Sequence, residues 1–288
     1  MKLAQRNAIV TGGSHGLGHA IVAAFLREGA NVLFCGREAG ALAASEEKLK
    51  PTLKPGQLLA AQACDVSDEA QVAALFAHAD HFFQGTLYIL VNNAGIYGPK
   101  GPTVEIDMAV WRRCVDINLF GTLLPCREAI RRFQAAGGGG KIINLSGGGA
   151  TNPLPNLSAY AASKAAVVRL TETLAEELRD QRIDVNALAP GALNTRLLDE
   201  VLAESPEKVG VDFYRKAQVQ QREGGVPLEL GADLCVYLAS AQSDGITGRL
   251  ISAKWDDWMT LHERREELNA TDIYTLRRIV PKDRGKVW

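Results

Sequence analysis

Tyr160 and Lys164 are the two side chains whose types and spacing most directly suggest chemistry in this sequence. They stand four residues apart in a helix-like segment, so both would lie on one helix face, one turn from each other. An ammonium beside a phenol favours the phenolate, so we expect the pKa of Tyr160 to fall from about 10 toward neutrality. A group with such a pKa suits general acid–base catalysis. The pair is a candidate proton-transfer device for an alcohol and carbonyl couple, although a solvated lysine near a half-buried tyrosine has the same spacing.

A glycine-rich turn follows the first apolar segment of the chain. The segment at residues 7–10 leads into a turn at residues 11–18, and a helical pattern comes after it. Backbone N–H groups at a helix start, together with the helix macrodipole, form a site for phosphate. Gly12, Gly16 and Gly18 would let the backbone approach such a ligand and let the helix pack closely on the strand. A purely structural turn is the alternative, but the strand–turn–helix context favours a nucleotide site.

The second predicted strand, residues 29–37, ends in Gly36 and Arg37 without an acidic residue. In dinucleotide-binding folds this position faces the adenosine ribose, where an acid binds a free 2′-hydroxyl and an arginine accommodates a 2′-phosphate. Arg37 could hold a phosphate through two parallel hydrogen bonds. The sequence therefore favours NADP(H) over NAD(H), with NAD(H) still possible and an exposed loop arginine as the alternative interpretation.

Short apolar segments alternate with helical patterns over residues 7–195. Further strands are predicted at residues 58–64, 87–91, 141–145 and 184–189, and helices at residues 38–50, 68–83, 107–133 and 158–179. A near-continuous apolar run such as that at 87–91 is typical of a parallel strand that is buried on both faces. The alternation predicts an α/β fold of the doubly wound type, a parallel sheet with helices on both faces. Asn118 is a poor helix former in the middle of a helical pattern, and such a misfit can mark a functional position.

The last third of the chain is less regular. Residues 196–226 are polar and helical and follow a strand's carboxyl end, where ligands bind in such sheets, so we expect them to cover the substrate. A last strand is predicted at residues 246–252, which would complete a single domain over residues 1–253. Residues 254–288 are predicted to be an extension rather than an independent domain. Its basic end is more typical of a solvated or subunit-contacting segment than of a clamp for a substrate phosphate.

Composition excludes several classes of function. The formal net charge is −1, so no basic surface suggests nucleic acid as a partner. No segment reaches the roughly 18 uninterrupted apolar residues of a membrane span, and the start of the chain has no leader pattern. The five cysteines are scattered without a C-x-x-C pair, which is typical of buried thiols and gives no metal site. We therefore expect a cytoplasmic protein.

Six motifs, taken together, carry a specific resemblance. They are Thr11-Gly12-x-x-x-Gly16-x-Gly18, Asp65, Asn92-Asn93-Ala94-Gly95, Asn118, Tyr160-x-x-x-Lys164 and Pro190-Gly191-x-x-x-Thr195. In this order and spacing, over residues 5–252, the sequence resembles the short-chain dehydrogenase/reductase family. The resemblance implies a Rossmann-type sheet of about seven strands. It also implies NAD(P)(H)-dependent interconversion of a carbonyl and a secondary alcohol, in a homodimer or homotetramer.

The resemblance also implies roles for individual residues. Tyr160 would exchange a proton with the substrate oxygen, Lys164 would lower its pKa and bind the nicotinamide ribose, and Asn118 would hold a water in the proton relay. Asp65 would contact the adenine, Asn92 the adenosine side, and Thr195, with Pro190 and Gly191, the nicotinamide end. The full set implied to bind the cofactor is Gly12, Ser14, His15, Gly16, Leu17, Gly18, Arg37, Asp65, Val66, Asn92, Ala94, Gly95, Tyr160, Lys164, Pro190, Gly191 and Thr195.

Two departures from the family pattern matter. The family's catalytic serine usually stands at the position that Gly147 occupies here, and Ser146 is one residue earlier. Ser146 could swing into the role of oxyanion donor, or a water or substrate group could replace it. The usual Asp-Gly-Gly turn after the last strand is also missing, and the tail of residues 254–288 could rebuild a subunit contact or close the site. Gly147 suggests one rival to the oxidoreductase, a catalytically weak NADP(H)-binding regulator or scaffold. An epimerase or dehydratase that uses the same Tyr160 and Lys164 pair is the other.

Overall fold

A seven-stranded sheet forms the centre of the computed structural model, which describes residues 1–83 and 85–288. All of its strand pairs are parallel, and the strand order is β3-β2-β1-β4-β5-β6-β7. The strands are β1 (Asn7–Thr11), β2 (Asn31–Gly36), β3 (Leu59–Ala63), β4 (Leu87–Asn92), β5 (Gly140–Leu145), β6 (Ile183–Ala189) and β7 (Leu250–Ser252). The order reverses between β1 and β4, which leaves a crevice at their carboxyl ends. This confirms the predicted doubly wound Rossmann-type sheet.

Helices cover both faces of the sheet. They are α1 (Gly16–Arg27), α2 (Ala39–Leu49), α3 (Glu69–Phe82), α4 (Met108–Val115), α5 (Gly121–Ala135), α6 (Ser158–Glu177), α7 (Arg196–Leu202), α8 (Pro206–Val209), α9 (Val211–Glu223), α10 (Leu228–Ala239) and α11 (Arg265–Ala270). Successive side chains of a strand point to opposite faces, so each strand contributes to two cores. On β1, Val10 packs in the core that includes Phe25 of α1, and Ile9 packs in the core that includes Phe76 of α3.

The helix predicted over residues 107–133 is interrupted. A π-helical turn at Asp116–Phe120 separates α4 from α5, and Asn118 lies within it, fully buried. A π turn widens the helix by one residue, and such turns are frequent at functional sites. The local misfit of Asn118 in the sequence therefore coincides with a real irregularity of the backbone.

The last strand is shorter than predicted. The prediction placed it at residues 246–252, but β7 begins only at Leu250. Gly248 has a φ of +69°, which is incompatible with an extended strand. The backbone N–H of Arg249 donates to the side-chain oxygen of Asn186 instead of a backbone carbonyl. The left-handed glycine and this side-chain contact interrupt the regular ladder, so the strand begins two residues after Gly248.

The chain beyond β7 returns to the sheet. Trp258, Leu261 and Leu268 are buried in the same core as α1 and α10. The backbone N–H of Leu250 donates to the carbonyl of Tyr274 at 2.8 Å, so the extension pairs with the outer edge of β7. A strand edge left open is a template for unwanted pairing, and this contact covers it.

Arg249 fastens the extension from inside. Its guanidinium is buried and donates to the carbonyls of Thr271 at 3.0 Å and Ile273 at 2.7 Å, and also to the carbonyl of Leu268. Three carbonyls of one short stretch are therefore satisfied by a single side chain.

Among the helices of the described residues, none is both long enough and apolar enough to span a membrane.

Candidate active site

A cavity of about 230 Å³ lies at the carboxyl ends of the strands. Residues that directly follow β1, β2, β3, β4, β5 and β6 all contribute to its wall, so it occupies the crevice where the strand order reverses. Ligands bind at this position in open α/β sheets.

Most of the predicted site residues line this one cavity. They are Gly12, Ser14, His15, Gly16, Leu17, Gly18, Arg37, Asp65, Val66, Ala94, Gly95, Ser146, Tyr160, Lys164, Pro190 and Thr195. Three predicted residues, Asn92, Asn118 and Gly191, are not part of its wall. The wall also contains residues that the sequence did not single out, among them Glu38, Leu193 and Arg196.

The glycine turn is built for close approach of backbone to backbone. Gly12 has a φ of +64°, and a Cβ added to Gly18 would lie 2.0 Å from the carbonyl oxygen of Gly12. The side-chain amide of Asn93 donates to the carbonyls of Thr11 and Gly12, each at 3.0 Å. The hydroxyl of Thr11 in turn accepts the backbone N–H groups of Asn93 and Ala94. The turn after β1 is therefore clamped to the loop after β4, a positioning role that the sequence had not assigned to Thr11 or Asn93.

The start of α1 can accept an anion. Within the described residues, no side chain caps the first N–H groups of this helix, and the residue at the N-cap, His15, is engaged with the hydroxyl of Ser14 at 2.8 Å. The helix carries no acidic residue in its first turn. Free N–H groups and the positive end of the macrodipole suit a pyrophosphate. The residues present therefore fit the phosphates of a dinucleotide.

Asp65 lies at the end of the cavity that β2 and β3 form. Its carboxylate accepts the backbone N–H of Ser67 at 3.0 Å and the hydroxyl of Ser67 at 2.6 Å, and it forms an ion pair with Arg113. Burial acts against ionisation, but the hydrogen bonds from Ser67 and Arg113 outweigh it, so the pKa of Asp65 lies below its usual range. Arg113, on α4, fixes this carboxylate and was not foreseen from the sequence.

Asn92 has a different position from the predicted one. Its side chain is buried and donates to the side-chain oxygen of Asn144 at 2.9 Å, and Asn144 donates to the hydroxyl of Thr171 at 2.9 Å. This chain of hydrogen bonds links β4, β5 and α6 behind the cavity. The predicted contact of Asn92 with the adenosine side therefore does not match its position, because its amide is used inside the protein.

Gly191 also lies off the cavity wall. Its φ is +85°, and a Cβ added there would be 2.9 Å from the side chain of Val226 and 3.7 Å from that of Lys254. The glycine therefore serves the close packing of three loops. Its neighbours in the predicted nicotinamide end, Pro190 and Thr195, do line the cavity.

Tyr160 and Lys164 share one face of α6, as predicted, and both are buried side chains in the cavity wall. The ammonium of Lys164 is 5.8 Å from the centre of the Tyr160 ring and donates to the carbonyl of Leu145 at 2.7 Å. Burial raises the pKa of Tyr160 well above its ordinary value. Burial also lowers the pKa of Lys164 to about 8. The expected fall of the tyrosine pKa is wrong for this structure, because the loss of water around the phenol outweighs the distant ammonium.

Asn118 lies between the loop after β4 and α6. Its amide nitrogen donates to the carbonyl of Ile96 and to the hydroxyl of Ser163, both at 2.9 Å, while its oxygen accepts the N–H of Ile96 at 2.9 Å. Gly95 separates it from Lys164, since a Cβ there would lie 3.2 Å from the Asn118 oxygen and 3.5 Å from the lysine nitrogen. The asparagine thus holds the loop after β4 against α6.

Ser146 and Gly147 follow β5 beside the tyrosine. The hydroxyl oxygen of Ser146 is buried and has no hydrogen-bond partner among the described residues, although Ser146 lines the cavity. A Cβ added to Gly147 would lie 2.1 Å from the hydroxyl oxygen of Tyr160. A buried hydroxyl without a partner is costly, so its placement here is consistent with a ligand group that completes it.

The segment predicted to cover the substrate forms α7, α8 and α9. Its buried side chains Leu198, Val201, Val209 and Ala217 make a small core of their own, against which Tyr97 packs. The ring of Tyr97 also contacts the ring of Tyr160 edge to face, with 4.7 Å between the ring centres. Tyr97 therefore lies between this segment and the candidate acid–base residue, a link that the sequence did not reveal.

Comparison with known proteins agrees with this geometry. The family described as short chain dehydrogenase matches residues 6–206. A short-chain type dehydrogenase/reductase of Picea abies is 36% identical over 254 residues, which cover 86% of this chain and 91% of the relative. The 3beta-hydroxysteroid dehydrogenase 1 of Eggerthella lenta is 37% identical over 259 residues, which cover 89% of this chain and 94% of the relative.

A solved structure gives the same result for the fold. The crystal structure of levodione reductase superimposes with a TM-score of 0.77 at 28% sequence identity, covering 87% of this chain and 96% of the reductase. The family, the two relatives and this solved structure each match most of the chain. The chain belongs to the short-chain dehydrogenase/reductase family of oxidoreductases.

Proposed function

We propose that this protein interconverts a carbonyl and a secondary alcohol with a nicotinamide cofactor, and that Tyr160 is its acid–base residue. The observation that carries the proposal is that Tyr160 and Lys164 line the same cavity as the glycine turn after β1. The start of α1, which would hold the phosphates of the cofactor, and the proton donor on α6 thus face one cavity, where cofactor and substrate would meet. The names of the relatives, a hydroxysteroid dehydrogenase and a levodione reductase, are in keeping with a small-molecule alcohol or ketone as substrate.

The chemistry divides between cofactor and protein. When bound, the nicotinamide supplies or accepts the hydride. The protein's own residues position the reactants and handle the proton. With its pKa raised by burial, Tyr160 is a neutral phenol at physiological pH, and it donates its proton to the oxygen of a carbonyl that is being reduced. The ammonium of Lys164 stabilises the resulting phenolate.

Ser146 is our candidate for the second hydrogen-bond donor to the substrate oxygen. Its hydroxyl has no other partner among the described residues and lies next to the loop that touches Tyr160. A donor to a developing oxyanion is worth roughly 3 kcal/mol of transition-state stabilisation. Asn118, which is bonded to Ile96 and Ser163, holds the backbone around the proton relay.

We further propose that NADP(H) is the preferred cofactor. Arg37 lines the cavity directly after β2, where a 2′-phosphate of the adenosine ribose would lie. Replacement of Arg37 by Asp should move the preference toward NAD(H), measured as the ratio of kcat/KM for the two cofactors. An unchanged ratio would show that Arg37 does not take part in the selection.

The test of the main proposal is the variant Tyr160→Phe. With a panel of cyclic ketones and sugars, the wild type should consume NADPH in a one-to-one ratio with the substrate, measured by the loss of NADPH absorbance. The rate of this loss should fall by about three orders of magnitude or more in the variant, since the proton donor is gone. NADPH binding, followed by its fluorescence, should remain. Full activity of Tyr160→Phe would refute the assignment.

One observation favours a second candidate, a catalytically weak NADP(H)-binding regulator. The position of the family's catalytic serine is Gly147, and the phenol of Tyr160 crowds it. Saturable NADPH binding without turnover of any carbonyl or alcohol would support this alternative.

We also propose that the protein assembles as a homodimer or homotetramer, and sedimentation measurements can distinguish these two states from a monomer.

A further inference from the structure

Glu38 and Arg196 face each other across the mouth of the cavity. Glu38 directly follows Arg37 and precedes α2, and Arg196 is the first residue of α7. A guanidinium nitrogen of Arg196 lies 3.5 Å from a carboxylate oxygen of Glu38, and both residues line the cavity. The covering segment is therefore tied to the end of β2, where the adenosine ribose of a dinucleotide is expected.

Glu38 conflicts with the preference that Arg37 suggests. An acid at this end of the fold accepts a hydrogen bond from a free 2′-hydroxyl, and it repels a 2′-phosphate. The loop after β2 thus presents two neighbouring residues, Arg37 and Glu38, with opposite preferences. The preference between NADP(H) and NAD(H) therefore depends on how strongly the negative charge of Glu38 acts on the bound cofactor.

We propose that Arg196 masks the carboxylate of Glu38 and thereby makes the cavity selective for the cofactor that carries a 2′-phosphate. This inference rests on the proposed function as an NAD(P)(H)-dependent enzyme. It adds a second selectivity residue, Arg196 of the covering segment, to Arg37, which directly follows β2.

The surroundings of Arg196 support this role. The arginine is also within 3.8 Å of Glu200, one turn further along α7, which holds its side chain at the cavity mouth. Both side chains of the pair are more than half exposed, so the effect is modest and is weakened by salt.

The test is equilibrium binding of NADP⁺ and NAD⁺ to four proteins, the wild type, Arg196→Gln, Glu38→Gln and the double variant. Arg196→Gln should weaken NADP⁺ binding about fivefold, the size expected for charges a few ångströms apart in water, and should change NAD⁺ binding by less than about twofold. The double variant should bind NADP⁺ as well as Glu38→Gln does. The loss in Arg196→Gln should shrink at about 1 M salt, where the Debye length is near 3 Å.

Two controls complete the design. Arg215→Gln removes an exposed arginine of α9 that is paired with Asp212 and does not line the cavity, and it should leave both affinities unchanged. Equal weakening of NADP⁺ and NAD⁺ in Arg196→Gln would overturn the proposal. So would a double variant that is as weak as Arg196→Gln alone. If the wild type bound neither nucleotide, the proposed function itself would fail, a result that is distinct from these two.

Discussion

The hydroxyl oxygen of Tyr160 lies so close to the backbone of Gly147 that a Cβ on this residue would be 2.1 Å away from it. No real Cβ contact is that short, so residue 147 and the phenol compete for one volume. The family's catalytic serine stands at this position in the resemblance drawn above. Tyr160 can therefore occupy its observed position only because residue 147 is a glycine. A serine side chain could be placed there only if the phenol moved.

Substitution of Gly147 should accordingly harm the enzyme. We expect Gly147→Ser to displace the phenol and to lower kcat/KM at least tenfold, with a loss of about 1–3 kcal/mol in the free energy of unfolding from overpacking. Gly148→Ala is the matched control, because a Cβ there meets no atom within 4 Å. Activity assays and urea unfolding of both variants decide the matter. A faster and equally stable Gly147→Ser would mean that the phenol moves freely and that the site merely lacks its serine.

Ser146→Ala separates a catalytic hydroxyl from a structural one. The Ser146 oxygen is buried without a hydrogen-bond partner among the described residues, so its removal should leave the free energy of unfolding unchanged or slightly higher. If it donates to the substrate oxygen in the transition state, kcat should nevertheless fall by about a hundredfold. Steady-state kinetics and urea unfolding on one preparation give both values. A near-normal kcat would assign the role to a water or a substrate group instead.

The parts of the site that the sequence revealed are those that local pattern determines. The glycine turn and the spacing of Tyr160 and Lys164 follow from a few adjacent residues, and the structure brings them to one cavity. The alternation of apolar strands with helices was likewise sufficient for the sheet, since its inner strands β1, β4, β5 and β6 are buried on both faces.

The parts that the sequence missed depend on distant partners. Arg113 reaches Asp65, and Arg196 reaches Glu38, across large separations in the chain that no local pattern encodes. The error in the pKa of Tyr160 has the same origin. The neighbouring lysine is visible in the sequence, but the burial that outweighs it arises only when the rest of the fold encloses the phenol.

The buried ammonium of Lys164 predicts a dependence of stability on pH. Its pKa is lowered from 10.5 to about 8 by burial. Between these values the unfolded state binds more protons than the folded state, so this lysine makes stability rise with pH over that window. Below pH 8 the full cost of the buried charge is present. Lys164→Met should therefore raise the free energy of unfolding at pH 7 by up to about 3 kcal/mol and flatten the rise above pH 8.

Urea unfolding from pH 7 to pH 10 measures this effect in the wild type and in Lys164→Met. Lys216→Met, at an exposed position of α9, is the control and should keep the wild-type pH profile. A less stable Lys164→Met with an unchanged slope would show that the hydrogen bond to Leu145 outweighs the cost of burying the charge.

Two of the three tryptophans in residues 254–288, Trp255 and Trp258, allow a test of how far this extension belongs to the core. Trp258 is buried, packs on Tyr237 with 5.7 Å between ring centres, and donates its indole N–H to the carbonyl of Ala253 at 3.2 Å. Trp255 is 76% exposed and lies over the ammonium of Lys254. Trp258→Ala should cost about 3–5 kcal/mol, as for other large buried aromatic residues. Trp255→Ala should change stability by no more than about 0.5 kcal/mol.

Circular dichroism during urea unfolding is the suitable measurement, because it does not rely on the tryptophan that has been removed. We expect one cooperative transition in both variants, with the midpoint lowered only for Trp258→Ala. The reason is that Trp258 lies in the same core as α1 and α10, so the extension and the sheet should unfold together. If Trp258→Ala kept the wild-type midpoint, or if a separate early transition appeared in the wild type, the extension would be a dispensable attachment to the sheet.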